Sequence, residues 1–225
     1  MAFELNSIVP WGRTFNEYRQ MFNLTGDDIK RRIISIGDGP ASFNAEMYAM
    51  GNTVTSIDLL YQFSADEISK RIDETCVEVI AQMRLNADKF IWNSIGSVEE
   101  LQKIRMKAMS HFLRDFATGQ SQNRYLNHAM PNSIAFNDDE FDLGLSSHFL
   151  LLYDSLGLNF HIESITEIMR ICGELRVFPV LNLNAVKPLF LDELLNALSK
   201  SYNIGIEKVD YEFQKGGDEM LVIKK

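Results

Sequence analysis

The stretch that decides the fold, residues 33–42, reads IISIGDGPAS. Its opening IISI is mostly apolar and β-branched, which predicts a short strand buried on both faces. The glycine-rich remainder leads into a predicted helix over 43–50, and Gly51 is expected to end that helix. A second apolar run over 54–57 ends at Asp58. Strand, glycine loop, helix and strand make a βαβ unit, which predicts a parallel sheet.

The chain beyond this unit turns helical and then returns to α/β alternation. Two Ser-x-x-Glu capping boxes predict long helices within residues 64–118, and Gly119 is expected to end the second of them. The last two predicted strands, 204–213 and 220–223, are antiparallel because the turn between them is too short for a crossover. Further strands are predicted at 124–126, 141–146 and 175–181, with helices at 162–172 and 190–202.

These elements predict a single α/β domain over residues 1–225. The expected fold class is a three-layer sandwich around a Rossmann-like, mostly parallel seven-stranded sheet with an antiparallel last strand. Residues 1–32 are expected to form an N-terminal helical cover, and we interpret residues 64–118 as an inserted helical hairpin. Two interpretations of the hairpin stay open: a lid that selects the substrate, or a dimer interface.

The composition excludes several classes of protein. With 46% hydrophobic and 24% charged residues the chain is neither disordered nor collagen-like. A net charge of −9 disfavours a nucleic-acid partner. Two cysteines, Cys76 and Cys172, cannot build a multi-disulfide framework. No run approaches the roughly 18 apolar residues that span a bilayer, and the opening residues do not read as a secretory signal, so we expect a soluble, cytoplasmic protein.

The glycine loop carries the strongest chemical signal. A loop between a buried strand and a helix N-terminus points backbone N–H groups at a ligand and favours negative charge there. Asp58 lies nineteen positions after Gly39, at the end of the next strand. A carboxylate at that place can accept hydrogen bonds from a ribose diol. The pattern therefore predicts a nucleotide-type cofactor.

The loop resembles motif I of the class I S-adenosylmethionine-dependent methyltransferases. The dinucleotide pattern G-x-G-x-x-G would need glycine at Ser42, which disfavours a nicotinamide-dependent oxidoreductase. Asp58, the segment 137–143 before a strand and the closing antiparallel pair also resemble that family. Residues 10–15 and the loop look like an uncharacterised bacterial subfamily of methyltransferase-like proteins. The resemblance implies S-adenosylmethionine as cofactor and a small-molecule acceptor.

The resemblance also implies roles for individual residues. The two loop glycines would lie against the methionine and ribose, Asp58 would bind the ribose hydroxyls, and Leu59 would flank the adenine. Arg13, in an N-terminal cover, would meet the methionine carboxylate. The implied cofactor-binding residues are Gly37, Asp38, Gly39, Asp58, Leu59, Ala129, Met130, Ser146 and Arg13.

Two positions depart from the family pattern. The usual acid at the end of the first strand is Ser35, and the third loop glycine is Ala41. Asp38, inside the loop, is a candidate to replace the missing acid. The departures motivate an alternative function, a non-catalytic cofactor-binding or scaffold protein with a degenerate methyltransferase fold.

Candidate catalytic residues follow the fourth strand of the sheet. His148 is a candidate general base because imidazole titrates near neutral pH, and Tyr153 is a candidate hydrogen-bond donor at the rim. The other histidines, His111, His128 and His161, show no metal-ligand spacing, so no metal is predicted.

Overall fold

The computed structural model describes residues 9–225, so the first eight residues of the predicted 1–32 cover lie outside the described residues. Its strands are β1 (Ile33–Ile36), β2 (Val54–Asp58), β3 (Tyr125–Asn127), β4 (Leu143–Ser147), β5 (Glu174–Phe178), β6 (Asn203–Lys208) and β7 (Glu219–Lys224). Its α-helices are α1 (Phe15–Met21), α2 (Phe43–Ala49), α3 (Ala65–Leu85), α4 (Val98–Ser121), α5 (Gly157–Ile171) and α6 (Leu191–Leu198).

The seven strands form one sheet in the order β3-β2-β1-β4-β5-β7-β6. The first five are parallel to their neighbours, and β7 runs antiparallel to both β5 and β6. The predicted fold class is therefore confirmed. The order reverses direction between β1 and β4, and in open parallel sheets that reversal opens a crevice where ligands bind.

Helices cover both faces of the sheet and give it two cores. Ile33 of β1 packs in the core shared with α1, α2 and α3, whereas Ile34 packs in the core shared with α5 and α6. Successive strand side chains point to opposite faces. A strand buried on both faces needs apolar residues on both, which the three isoleucines of IISI supply. The buried Ser35 hydroxyl is satisfied by donating to Asp38 at 2.6 Å.

Local signals place the starts of the long helices. The Ser64 side chain accepts a hydrogen bond from the backbone N–H of Glu67, and the Glu67 carboxylate accepts one from the backbone N–H of Ser64. This pair is the predicted capping box of α3. Ser97 accepts the N–H of Glu100 at the start of α4. The α4 helix packs against α2 and β3 as well as against α3. None of the helices in residues 9–225 is long and apolar enough to cross a membrane.

Several expected boundaries were wrong. The helix predicted over 162–172 begins at Gly157, the strand predicted over 175–181 ends at Phe178, and the helix predicted over 190–202 ends at Leu198. Gly119 lies inside α4, which continues to Ser121. The glycine does not end the helix; its missing side chain makes room for the Tyr125 ring of β3. The strand predicted over 204–213 ends at Lys208. The apolar residues beyond it leave the sheet, and Tyr211 and Phe213 line a cavity instead.

Replacing Gly119 with alanine is expected to lower the free energy of unfolding. A Cβ there would lie 2.3 Å from the Tyr125 ring, and overpacking of a core costs about 1–3 kcal/mol. Urea unfolding measures the change. Gly205→Ala is the control, since no atom lies within 4 Å of its Cβ position. Equal stability of the two variants would contradict the steric role of Gly119.

Candidate functional site

A cavity of about 590 Å³ opens at the carboxyl ends of the parallel strands. Its lining includes the glycine loop after β1, Asp58 at the end of β2, Ser147 at the end of β4 and Phe178 at the end of β5. The N-terminal segment contributes Trp11 and Arg13. The cavity thus lies where the crevice of an open α/β sheet is expected.

The glycine loop has the backbone conformation that glycine permits. Gly37 and Gly39 have φ angles of 65° and 54°, in the left-handed region that side chains disfavour. A Cβ on Gly37 would lie 2.5 Å from the Phe149 ring, whereas no atom lies within 4 Å of the same position on Gly39. The backbone at Gly39 can therefore approach a ligand closely.

Asp58 is held at the cavity wall by backbone donors. Its Oδ2 accepts the N–H of Gly39 at 2.8 Å, and its Oδ1 accepts the N–H of Leu60 at 2.7 Å. Burial raises the pKa of Asp58 to about 6, with the Asp38 charge adding to the rise. Each carboxylate oxygen keeps a lone pair for a ligand hydroxyl.

Asp38 points into the protein and meets three hydroxyl donors. Ser35 and Ser56 each donate to it at 2.6 Å, and Tyr18 donates a third hydrogen bond. Burial raises the pKa of this carboxyl group despite those bonds. Ser35, which stands where the methyltransferase pattern has an acid, thus contacts an acid that the loop supplies three residues later.

A buried basic cluster lines another part of the cavity. Arg105 of α4 is 0% exposed, and its Nη1 lies 2.6 Å from Oε2 of Glu17 in α1. Tyr211 donates to Oε1 of the same glutamate at 3.0 Å. Arg13 lines the same cavity, and burial together with the charge of Arg105 lowers the pKa of its guanidinium group. Within residues 9–225, the buried Nε atoms of both arginines have no hydrogen-bond partner.

The sequence did not single out Arg105 or Tyr211. The available signal for Arg105 was its place on the apolar stripe of α4, among Leu101, Ala108 and Phe112. A charged residue on such a stripe is almost never fully buried unless it is paired. Tyr211 gave no signal, because the alternation of Val209, Tyr211 and Phe213 reads as a continued strand.

His148 and Tyr153 both line the cavity. His148 has a φ angle of 55°, and its Nδ1 lies 3.0 Å from Oγ of Ser147. Burial, together with the charges of Arg13 and Arg105, lowers the pKa of His148 well below its usual range. Burial raises the pKa of Tyr153.

The lining includes most of the predicted site residues: Arg13, Gly37, Asp38, Gly39, Asp58, Leu59, Met130, His148 and Tyr153. Ser146 and Ala129 are not among the lining residues. Ser146 is buried, and its Oγ accepts the N–H of Leu150 at 3.4 Å, so the neighbouring Ser147 faces the cavity. His128 and Met130, on either side of Ala129, reach it. Within residues 9–225 no group of three His, Cys, Asp or Glu side chains could hold a metal ion.

Known proteins similar to this chain include one close relative by sequence. It is the uncharacterized protein MJ0045 of Methanocaldococcus jannaschii, 39% identical over 223 residues, with 98% of both chains covered. No model of a protein family matches the sequence.

Solved structures similar to this chain are S-adenosylmethionine-dependent methyltransferases with low identity. A putative one from Methanococcus maripaludis is 14% identical with a TM-score of 0.43, covering 94% of this chain and 83% of its own. A TehB-like one from Corynebacterium glutamicum is 14% identical with a TM-score of 0.45, covering 87% and 80%.

The fold assignment rests on the strand order of the sheet and on the antiparallel β7, and the sequence resemblance implied the closing antiparallel pair. The family assignment rests on the 39% identity along nearly the whole chain. The chain belongs to the same family as the uncharacterized protein MJ0045 of Methanocaldococcus jannaschii, and its fold is a Rossmann-like, mostly parallel seven-stranded sheet with antiparallel last strands.

Proposed function

We propose that this protein binds S-adenosylmethionine and transfers its methyl group to a small-molecule acceptor. The observation that carries the proposal is the joint geometry of Gly39 and Asp58. The N–H of the glycine and the carboxylate are hydrogen-bonded at 2.8 Å beside open space at the carboxyl ends of the strands. A ribose diol could be received there by the carboxylate.

The remaining cofactor contacts are assigned by position in the lining. Leu59 and Met130 would contact the adenine, Gly37 would lie against the methionine portion, and Arg13 would meet the methionine carboxylate. The unpartnered Nε of Arg13 fits that last role. Asp38 would act as a positioning residue, because its three hydroxyl partners tie the loop to β1, β2 and α1.

Once bound, the cofactor supplies an electrophilic methyl group on its sulfonium. The chain's own residues hold the acceptor in line and exclude water, and orientation of this kind can supply much of a rate enhancement. The neutral imidazole of His148 can accept a hydrogen bond from an acceptor hydroxyl or amine, whereas its lowered pKa disfavours the predicted role of general base. Tyr153 can donate a hydrogen bond to the same acceptor. The cytoplasmic location and a dimer through residues 64–118 stay predictions.

Calorimetric titration tests the proposal. Wild-type protein receives S-adenosylmethionine, S-adenosylhomocysteine and, as a control, NAD. We expect micromolar binding of the two sulfur compounds and none of NAD. Binding of NAD alone would favour an oxidoreductase, and binding of neither class would favour a scaffold. Cofactor binding without turnover on any acceptor would support the non-catalytic alternative.

The imidazole of His148 is expected to stay neutral from pH 8 down to pH 6. Burial and the charges of Arg13 and Arg105 lower the pKa of this group, so protonation begins only in more acidic solution. Nitrogen-detected NMR of the histidine ring follows the titration, and Arg13→Met should raise the pKa by removing one cation. A pKa at or above 6.5 in the wild-type protein would contradict the buried cationic environment.

A further inference from the structure

The side chains of Arg13, Arg105 and Tyr211 line the cavity, whereas Glu17 is not among the lining residues. The Glu17 carboxylate is already saturated by protein donors. Oε2 accepts from the N–H of Thr14 at 3.0 Å and from Arg105 at 2.6 Å, and Oε1 accepts from Tyr211 at 3.0 Å. The two arginines therefore belong to the cavity lining, whereas the carboxylate that balances Arg105 does not.

Arg105 retains unused donors although it is fully buried. Its Nε has no hydrogen-bond partner within residues 9–225, and its Nη2 makes only a long contact of 3.5 Å with the Tyr211 hydroxyl. A buried guanidinium normally has its donors paired, because an unpaired polar group out of water is costly. The fork geometry of guanidinium matches carboxylate oxygens.

Aromatic and aliphatic side chains line the same cavity. The rings of Phe90 and Phe213 stack with centroids 4.8 Å apart, and the N–H of Ile91 donates to the carbonyl of Phe213 at 2.7 Å, which joins the two segments. Phe90 and Phe213 line the cavity, as do Val79 and Met83 of α3. Walls of this kind suit an aromatic or otherwise flat apolar body.

We infer that the methyl acceptor is a small carboxylic acid with a flat apolar body, whose carboxylate is received by the unused N–H donors of Arg105. The inference rests on the proposed function, since it names the acceptor of that site. A monoanion suits the site better than a dianion, because Arg13 is assigned to the cofactor's carboxylate and Arg105 is already paired with Glu17. Asp38 and Asp58 elsewhere in the lining would repel additional negative charge.

The test compares matched ligands on protein saturated with S-adenosylhomocysteine. Hydroxy- and aminobenzoates are titrated beside their primary amides, with phenyl phosphate as the dianionic probe. A hydrogen-bonded charge contact predicts that at least one carboxylate binds about tenfold or more tightly than its amide. The inference is overturned when no carboxylate in the series outbinds its amide, or when phenyl phosphate outbinds them all.

Variants place the effect at the cluster. Arg105→Lys, which keeps the charge but loses the fork, should reduce the carboxylate preference several-fold while S-adenosylhomocysteine still binds. Tyr211→Phe, which removes the hydroxyl that contacts Nη2 of Arg105, should reduce the preference by displacing the guanidinium group. Arg114→Met is the control, because Arg114 is an exposed arginine of the same helix. An unchanged preference in both cluster variants would overturn the inference.

A further titration distinguishes binding of the acceptor's carboxylate at this cluster from binding of the cofactor's own carboxylate there. The benzoates are also titrated without S-adenosylhomocysteine. Displacement of the benzoate by S-adenosylhomocysteine, but not by 5′-methylthioadenosine, would assign the cluster to the cofactor's own carboxylate. That result would overturn the inference and leave the proposed function standing. Failure of S-adenosylhomocysteine to bind at all would instead sink the proposed function.

Discussion

Replacing Asp58 with alanine is expected to weaken S-adenosylhomocysteine binding by about 100-fold. The carboxylate would accept the two ribose hydroxyls, and hydrogen bonds to a charged group are worth about 1.5–3 kcal/mol each. The variant also removes the acceptor for the N–H groups of Gly39 and Leu60, which fix the loop. Calorimetry on both proteins measures the ratio of dissociation constants.

The matched control is Asp27→Ala, which removes a side chain that is 97% exposed. It should bind like the wild type. A loss of less than about threefold in Asp58→Ala would show that the ribose hydroxyls are held elsewhere, since even one such bond is worth about tenfold.

The affinity should also depend on pH through Asp58. Its pKa is raised to about 6, so the ionised form that accepts two hydroxyls dominates above pH 6. Below that value protonation removes acceptor capacity, and the affinity should fall by up to about tenfold per pH unit. In Asp58→Asn this dependence should disappear. A wild-type affinity that is constant between pH 5 and pH 8 would contradict the assignment.

Replacing Glu17 with alanine is expected to lower the free energy of unfolding by about 3–5 kcal/mol, because it leaves a buried cation without its partner. The cation is Arg105, whose side chain is 1% exposed. The variant also loses the capping box with Thr14 at the start of α1. Urea unfolding at pH 7 measures the change. The double variant Glu17→Leu/Arg105→Met should recover part of it, because the pair then leaves no unpaired charge.

The pH dependence of that stabilisation has a definite sign. Burial raises the pKa of Glu17, but the charge and hydrogen bond of Arg105 lower it, and the net direction is downward. A lowered carboxyl pKa contributes stability that is present above the unfolded value and is lost as the pH falls through the folded one. The difference between wild type and Glu17→Ala should therefore shrink in acid. If the losses of unfolding free energy in Glu17→Leu and Arg105→Met add up to the loss in the double variant, the two residues are not a coupled pair.

The sequence predicted the parts of the fold that depend on neighbours in the chain. The run from Ile33 to Ile36 is buried on both faces, a capping box fixes where α3 begins, and the Ser97 side chain alone caps the start of α4. The end of α4 was missed because Gly119 is required by the Tyr125 ring packed against the helix and not by a helix end. The end of β6 was missed because an alternating run serves a cavity wall as well as a strand.

In the site, too, the residues predicted from the sequence are those identified by local spacing, and those missed depend on distant contacts. The glycine loop and Asp58 were found because their spacing is local and their backbone chemistry is specific. The orientation of Asp38 depends on Tyr18 and Ser56, which lie twenty and eighteen residues from it. The contact of Arg105 with Glu17 joins residues 88 positions apart, and no periodicity reports such a pairing.

The contact between Tyr211 and Glu17 spans 194 positions of the chain. During synthesis on a ribosome, the contact between Glu17 of α1 and Tyr211 can therefore form only after Tyr211 has been made. A nascent chain lacking its final residues cannot present the finished pocket. Metabolites that occupy the pocket would stabilise only completed molecules, since a ligand stabilises the state that it binds. Cellular ligand supply would then act on the lifetime of full-length protein and not on its truncated fragments.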